Sequence, residues 1–109
     1  MGMITHIVSF KYHPTVSSAE RHLVASSFLA LQSRCLNERG EPYLLVTGGA
    51  NNSHEGQTKG FDHSFVVTFN DQLARDYYVE KDPKHDEFKQ LAGPHLAEVF
   101  VFDFEAGVF

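Results

Sequence analysis

The chain has one cysteine, no tryptophan and no excess of positive charge. A single Cys35 excludes an internal disulfide and makes a reduced, cytoplasmic protein the expectation. Nine Lys and Arg against fourteen Asp and Glu give a formal charge of -5. With no basic stripe either, a nucleic-acid surface is excluded. No apolar run approaches the roughly eighteen residues of a membrane-spanning helix. Residues 1–13 alternate and do not form a charged-then-apolar leader, so no membrane partner is expected. Without such a leader the glycosylation sequon Asn51-Asn52-Ser53 carries no weight. The CxxC, HExxH and GxSxG patterns are missing, and Gly48-Gly49 lacks the spacing of a dinucleotide or phosphate loop.

What is abundant is aromatic. Ten Phe, four Tyr and seven His occupy 109 residues, read as a single domain over 1–109. The hydrophobic fraction of 42% and charged fraction of 21% are those of an ordinary globular chain. A domain this small buries only about two thirds of its unfolded surface. The spare rings must line a cavity, meet a partner subunit, or both.

Ile4, His6, Val8 and Phe10 alternate with Thr5, Ile7, Ser9 and Lys11, which predicts a strand ended by Pro14. Ser17 and Glu20 have the spacing of a capping box. Val24, Phe28, Leu31 and Cys35 follow as a core stripe on a long helix stopped at Gly40, and Cys35 is read as a core residue, not a nucleophile. A short strand is expected over 42–47, a turn-rich loop over 48–56, and a third strand over 61–69 with Phe61, His63, Phe65, Val67 and Phe69 on one face. Asn70 or Asp71 caps a second helix carrying Tyr77 and Tyr78, interrupted at Pro83 and resuming to Leu91. Residues 96–104 form the last strand.

Strand, helix, strand, strand, helix, strand specifies an α+β sandwich, a ferredoxin-like βαββαβ arrangement. Its four-stranded antiparallel sheet has two helices on one face, and the first and third strands as central neighbours. The opposite face would carry Ile7, Val66 and members of the row Phe100, Phe102, Phe104, too apolar to leave wet. A homodimer packed sheet against sheet is the expected partner arrangement.

His6 and His63 would then both point toward the helices from adjacent strands, and each is either a satisfied core residue or part of a site. In Asp82-Pro83-Lys84-His85 the Asp suits an N-cap and the Pro the first helical position. His85 falls in the first turn, where the helix dipole and any burial favour the neutral ring over the imidazolium. A neutral imidazole suits proton abstraction near physiological pH; the competing reading is a surface histidine on a capped helix. One of Tyr77 and Tyr78 should face the core. Three histidines from three separate elements have no short metal-ligand spacing, so no metal is expected.

These residues, in order, resemble the stress-responsive dimeric α/β-barrel (Dabb) proteins. The resemblance rests on residues 5–11 (Thr-His-Ile-Val-Ser-Phe-Lys), on Gly49, Asn51, Ser53 and Glu55, on residues 61–69, on Tyr78 followed by Asp82-Pro83-Lys84-His85, and on the closing aromatic strand. It covers nearly the whole chain. It implies a ferredoxin-like subunit and a homodimer whose two sheets form a barrel.

Among the family's olivetolic acid cyclase-type polyketide cyclases, which close a linear chain by an intramolecular aldol step, the catalytic histidine matches His85. The strand histidines match His6 and His63, and the catalytic tyrosine falls nearest Tyr78. The interval from tyrosine to proline is one residue longer here, which leaves Tyr77 open for that role, and Asp82 replaces a histidine of the cyclase motif. The resemblance thus implies a cofactor-independent enzyme with His85 as base and His6, His63 and Tyr78 positioning or stabilising. Phe28, Phe61, Phe65 and Tyr77 would enclose a small hydrophobic oxygenated metabolite. The alternatives are a non-catalytic, stress-responsive, ligand-binding homodimer and a cofactorless monooxygenase.

Overall fold

A computed structural model describes residues 2–109. Strand β1 (Ile4–Tyr12) buries every second residue: Ile4, His6, Val8, Phe10 and Tyr12 face inward, while Thr5, Ile7, Ser9 and Lys11 remain half-exposed on the other face. It is central. β3 (His63–Phe69) pairs along one side of it, β4 (Leu96–Glu105) along the other, and β2 (Leu44–Ala50) pairs outside β3. All pairings are antiparallel and the order is β2-β3-β1-β4. Helices α1 (Ser18–Leu29), α2 (Leu31–Arg34), α3 (Gln72–Glu80) and α4 (Pro83–Ala92) bury their apolar residues against the inward face of this ferredoxin-like sheet.

The helix starts follow local chemistry. The Ser17 hydroxyl accepts from the Glu20 amide at 3.1 Å and the Glu20 carboxylate accepts from the Ser17 amide at 2.9 Å. Asp71 caps α3 by accepting from the Ala74 amide. Asp82 caps α4, with Pro83 at its first position, where a missing N–H costs nothing.

Three boundaries differ from the sequence expectation. Val24, Phe28, Leu31 and Cys35 are all buried as the stripe requires, yet the helix does not run to Gly40. It breaks at Ala30 and ends at Arg34, because Leu36 pairs with Pro42 and the Asn37 side chain accepts from the Arg39 and Glu41 amides. That side chain offers the backbone a turn in place of another helical turn. Gly40, at φ 76°, completes this turn and does not stop a helix.

β2 continues through Gly48-Gly49, expected as a turn. Gly48 is needed where it lies: a Cβ there would sit 2.5 Å from a Phe65 ring carbon and 2.6 Å from the Ser64 carbonyl oxygen. β3 begins at His63, not Phe61, because Lys59 and Gly60 both take positive φ and re-aim the entering chain.

The core is largely rings. Phe28 stacks on Phe65 at 4.1 Å between centroids, and Phe10 and Phe88 close around them. On the opposite side of the sheet Phe100, Phe102 and Phe104 form a ladder at 6.3 and 6.5 Å. These three remain 49%, 53% and 39% exposed, beside Ile7, which pairs directly with Phe102.

Candidate active site

α3 and α4 do not reach across β4, and the space they leave against β1 and β4 is a cavity of about 630 Å³. Val8, Phe10, Phe28, Phe88, Val99 and Val101 make its apolar wall. Its polar end gathers His6 and Asp103 from the sheet, Arg75 and Tyr78 from α3, and His85 from α4.

The geometry of His85 follows from the capped turn before it. Asp82 is buried and accepts from the Lys84 amide at 2.8 Å and from the Tyr43 hydroxyl at 2.5 Å, which ties the start of α4 to the chain entering β2. The imidazole of His85 then lies over the Tyr78 ring, stacked at 3.8 Å and 17°. Its Nδ1 is 2.9 Å from the Tyr78 carbonyl oxygen. A carbonyl can only accept, so Nδ1 carries the proton and Nε2 is left with a lone pair. Burial holds the His85 pKa below its ordinary value, opposed by the Tyr78 carbonyl and reinforced by Lys89 and His6. Burial is thus the main cause of the shift. Burial also raises the Tyr78 pKa, so its phenol stays protonated and able to donate.

His6 is held by groups that the sequence patterns did not single out. Its Nδ1 donates to Asp103 Oδ1 at 2.6 Å, the other Asp103 oxygen accepts from Arg75 Nη1 at 2.7 Å, and Arg75 Nε donates to Asp76 at 2.7 Å. A carboxylate behind an imidazole fixes its tautomer and orientation. The signal was present in outline. Asp103 is the one acid inside the aromatic run Phe100–Phe104, and alternation turns it to the side opposite those rings. Only the β1–β4 register, which pairs His6 with Asp103, shows that the two meet.

The structure therefore brings together His6, Tyr78 and His85, with Phe28 in the wall, and does not bring the remaining candidates to them. His63 is on the inward face as expected, but it pairs with Phe10 whereas Val67 is the partner of His6. Four residues along a strand is about 13 Å, and His63 instead meets the Tyr12 hydroxyl at 2.9 Å. Burial lowers its pKa as well.

Phe61 has turned to the opposite side of the sheet. There it packs on Phe100 at 6.5 Å, under the Lys11 ammonium, in a separate hollow of about 340 Å³. Phe65 lies behind Phe28 and supports the wall without lining it. Tyr77 faces Tyr43 at 5.5 Å, outside the cavity, so of the two tyrosines it is Tyr78 that borders it. Among the described residues no three His, Cys, Asp or Glu side chains gather as a metal-binding group. No helix among them is long and apolar enough to cross a membrane.

The two depressed histidines have a consequence for stability. A His pKa lower in the folded than in the unfolded chain means that the unfolded chain binds more protons as pH falls below about 6.5. Stability from His85 and His63 is complete above that pH and is lost on acidification toward the folded-state values. Urea midpoints measured from pH 7.5 down to 5 should fall, and fall less in His85→Gln; a midpoint flat or rising over that range would contradict the burial described.

Comparison with known proteins adds to this picture. Residues 4–106 match the family described as Dabb, Stress responsive A/B Barrel Domain. A search of curated proteins gives no significant match. Among solved structures the hydroxynitrile lyase of Passiflora edulis superposes with TM-score 0.84 at 19% identity, covering 99% of this chain and 97% of that one. A dimeric ferredoxin-like protein of unknown function from Thermobifida fusca gives 0.76 at 20% identity, covering 95% and 91%. SnoaB, a cofactor-independent oxygenase from Streptomyces nogalater, gives 0.67 at 15% identity, covering 100% and 97%. At these identities the likeness is one of fold.

Proposed function

The chain belongs to the Stress responsive A/B Barrel Domain family, and from that premise we propose that it is a cofactor-independent enzyme. Its substrate would be a small, hydrophobic, oxygenated metabolite, and its reaction would open with proton abstraction by His85. The observation that carries this reading is the bond from His85 Nδ1–H to the Tyr78 carbonyl, which leaves Nε2 a free base at the wall of an apolar cavity.

A methylene between two carbonyls is acidic enough for a neutral imidazole to deprotonate. His85 Nε2 takes the C–H proton and the electron pair passes to the neighbouring carbonyl oxygen as an enolate. The Tyr78 hydroxyl donates to that oxygen, an interaction worth about 3–4 kcal/mol where preorganised away from water. His6, held in place by Asp103, is a second group positioned at the polar end of the cavity. In a polyketide cyclase-like reaction the enolate carbon attacks another carbonyl of the same chain and a carbon–carbon bond forms. The resulting alkoxide then recovers the proton that His85 removed. His63 has no place in these steps.

Two relatives of the fold are named for small-molecule reactions, the Passiflora lyase and the Streptomyces oxygenase, which supports catalysis here. The exposed phenylalanine ladder, together with structural relatives described as dimeric, supports a homodimer joined through the outer sheet faces as a dimeric α/β barrel. A single cysteine, which cannot form an internal disulfide, suits a cytoplasmic protein.

The test is proton exchange. In D2O the protein should accelerate deuterium incorporation into the central methylene of a neutral 1,3-diketone such as benzoylacetone, read by NMR, beyond free imidazole at equal concentration. Binding of the diketone without acceleration would leave the ligand-binding homodimer as the function.

A further inference from the structure

We propose that the cavity is specific for an uncharged ligand, with a hydrocarbon group at one end and a carbonyl or hydroxyl at the other, and rejects carboxylates of the same shape. This deepens the reading of the cavity as the reacting site and rests on it. An arginine at a cavity wall is ordinarily a receptor for a carboxylate or phosphate. Arg75 is not, because its charge is already met twice: Nη1 donates to Asp103 at 2.7 Å and Nε to Asp76 at 2.7 Å.

Arg75, Asp76 and Asp103 all line the cavity, so its polar end holds two carboxylates against one guanidinium. The other cation of the lining, Lys89, has a side chain 53% exposed and is paired with Asp86 at 3.2 Å, at the rim, where water and salt screen it. An entering carboxylate would lose its hydration to face Asp76 and Asp103 with no unmatched cation inside, which is the costly case of burying a charge. A ketone or alcohol oxygen gives up far less water and finds the Tyr78 hydroxyl as a donor at this end. At the other end Phe10, Phe28, Phe88 and Leu96 offer rings and a branched side chain to a phenyl or short alkyl group.

Two near-isosteric probes separate the cases: 4-phenylbutan-2-one and 3-phenylpropanoate, titrated at neutral pH against the protein with cavity methyl and histidine ring resonances as reporters. The ketone should bind about tenfold or more tightly than the carboxylate. Asp103→Asn, which leaves Arg75 one carboxylate short, should shift the ratio about tenfold or more toward 3-phenylpropanoate. Should that variant fail to fold, Asp76→Asn carries the same expectation. A carboxylate that binds as well as the ketone, or the failure of both probes to reach the cavity at millimolar concentration, overturns the proposal. Exchange activity that survived loss of His85 would instead end the catalytic reading and leave this preference standing.

Discussion

Replacing His85 by glutamine should slow catalysed proton exchange about 10²- to 10⁴-fold, the ordinary contribution of a positioned general base. The substitution is chosen for what it keeps. A glutamine amide is neutral and polar and close to imidazole in length, and the residue remains in the first turn of a helix capped by Asp82. What it lacks is a basic lone pair. Circular dichroism and ligand affinity should therefore change little while exchange collapses. The wild-type rate should fall on acidification with an apparent pKa below the ordinary histidine value of about 6.5, since burial disfavours the imidazolium. A variant within about tenfold of wild type would remove His85 from the mechanism.

The second large effect concerns assembly. Phe102 sits in the middle of the outward ladder, paired across to Ile7 and stacked beside Phe100 at 6.3 Å. If two sheets close over this face, Phe102 is a central aromatic anchor, the kind of residue that carries about 2 kcal/mol or more of association energy. Phe102→Asp should weaken the dimer about thirty-fold or more, because it also places a charge against an apolar partner surface. Sedimentation should then show a 12.3 kDa species at concentrations where wild type sediments at twice that mass. Phe102 points away from the helices, so secondary structure should be preserved. Wild type that sediments as the small species at micromolar concentration would contradict the dimer itself.

Much of the architecture is legible in the chain because it is local. Ser17 with Glu20, Asp71, and Asp82 with Pro83 mark helix starts by chemistry that acts over three or four residues. The alternation from Ile4 to Phe10 marks both the strand and its inward face.

What was not legible depends on pieces far apart in sequence. That His6 and His63 share a face is a property of period two. That they lie four residues apart along the sheet is a property of register, which turns and packing set. The same register brings Asp103 to His6, a contact invisible to anyone reading β4 by itself. Phe61 fits the alternation in sequence yet lies outside the strand, because Lys59 and Gly60 at positive φ re-aim the chain just before it. Gly48 and Gly49 look like a turn until Phe65 is known to press against one of them.

The proposed catalysis requires one imidazole to be neutral, with its proton on the nitrogen that faces the Tyr78 carbonyl. Nitrogen and carbon chemical shifts of His85 in isotopically labelled protein, assigned through His85→Gln and followed from pH 8 to 5, measure both properties without a substrate. The Nδ1–H tautomer at neutral pH and a titration below about 6.5 are expected. A dominant Nε2–H form, or a midpoint at or above that value, would contradict the proposed catalysis.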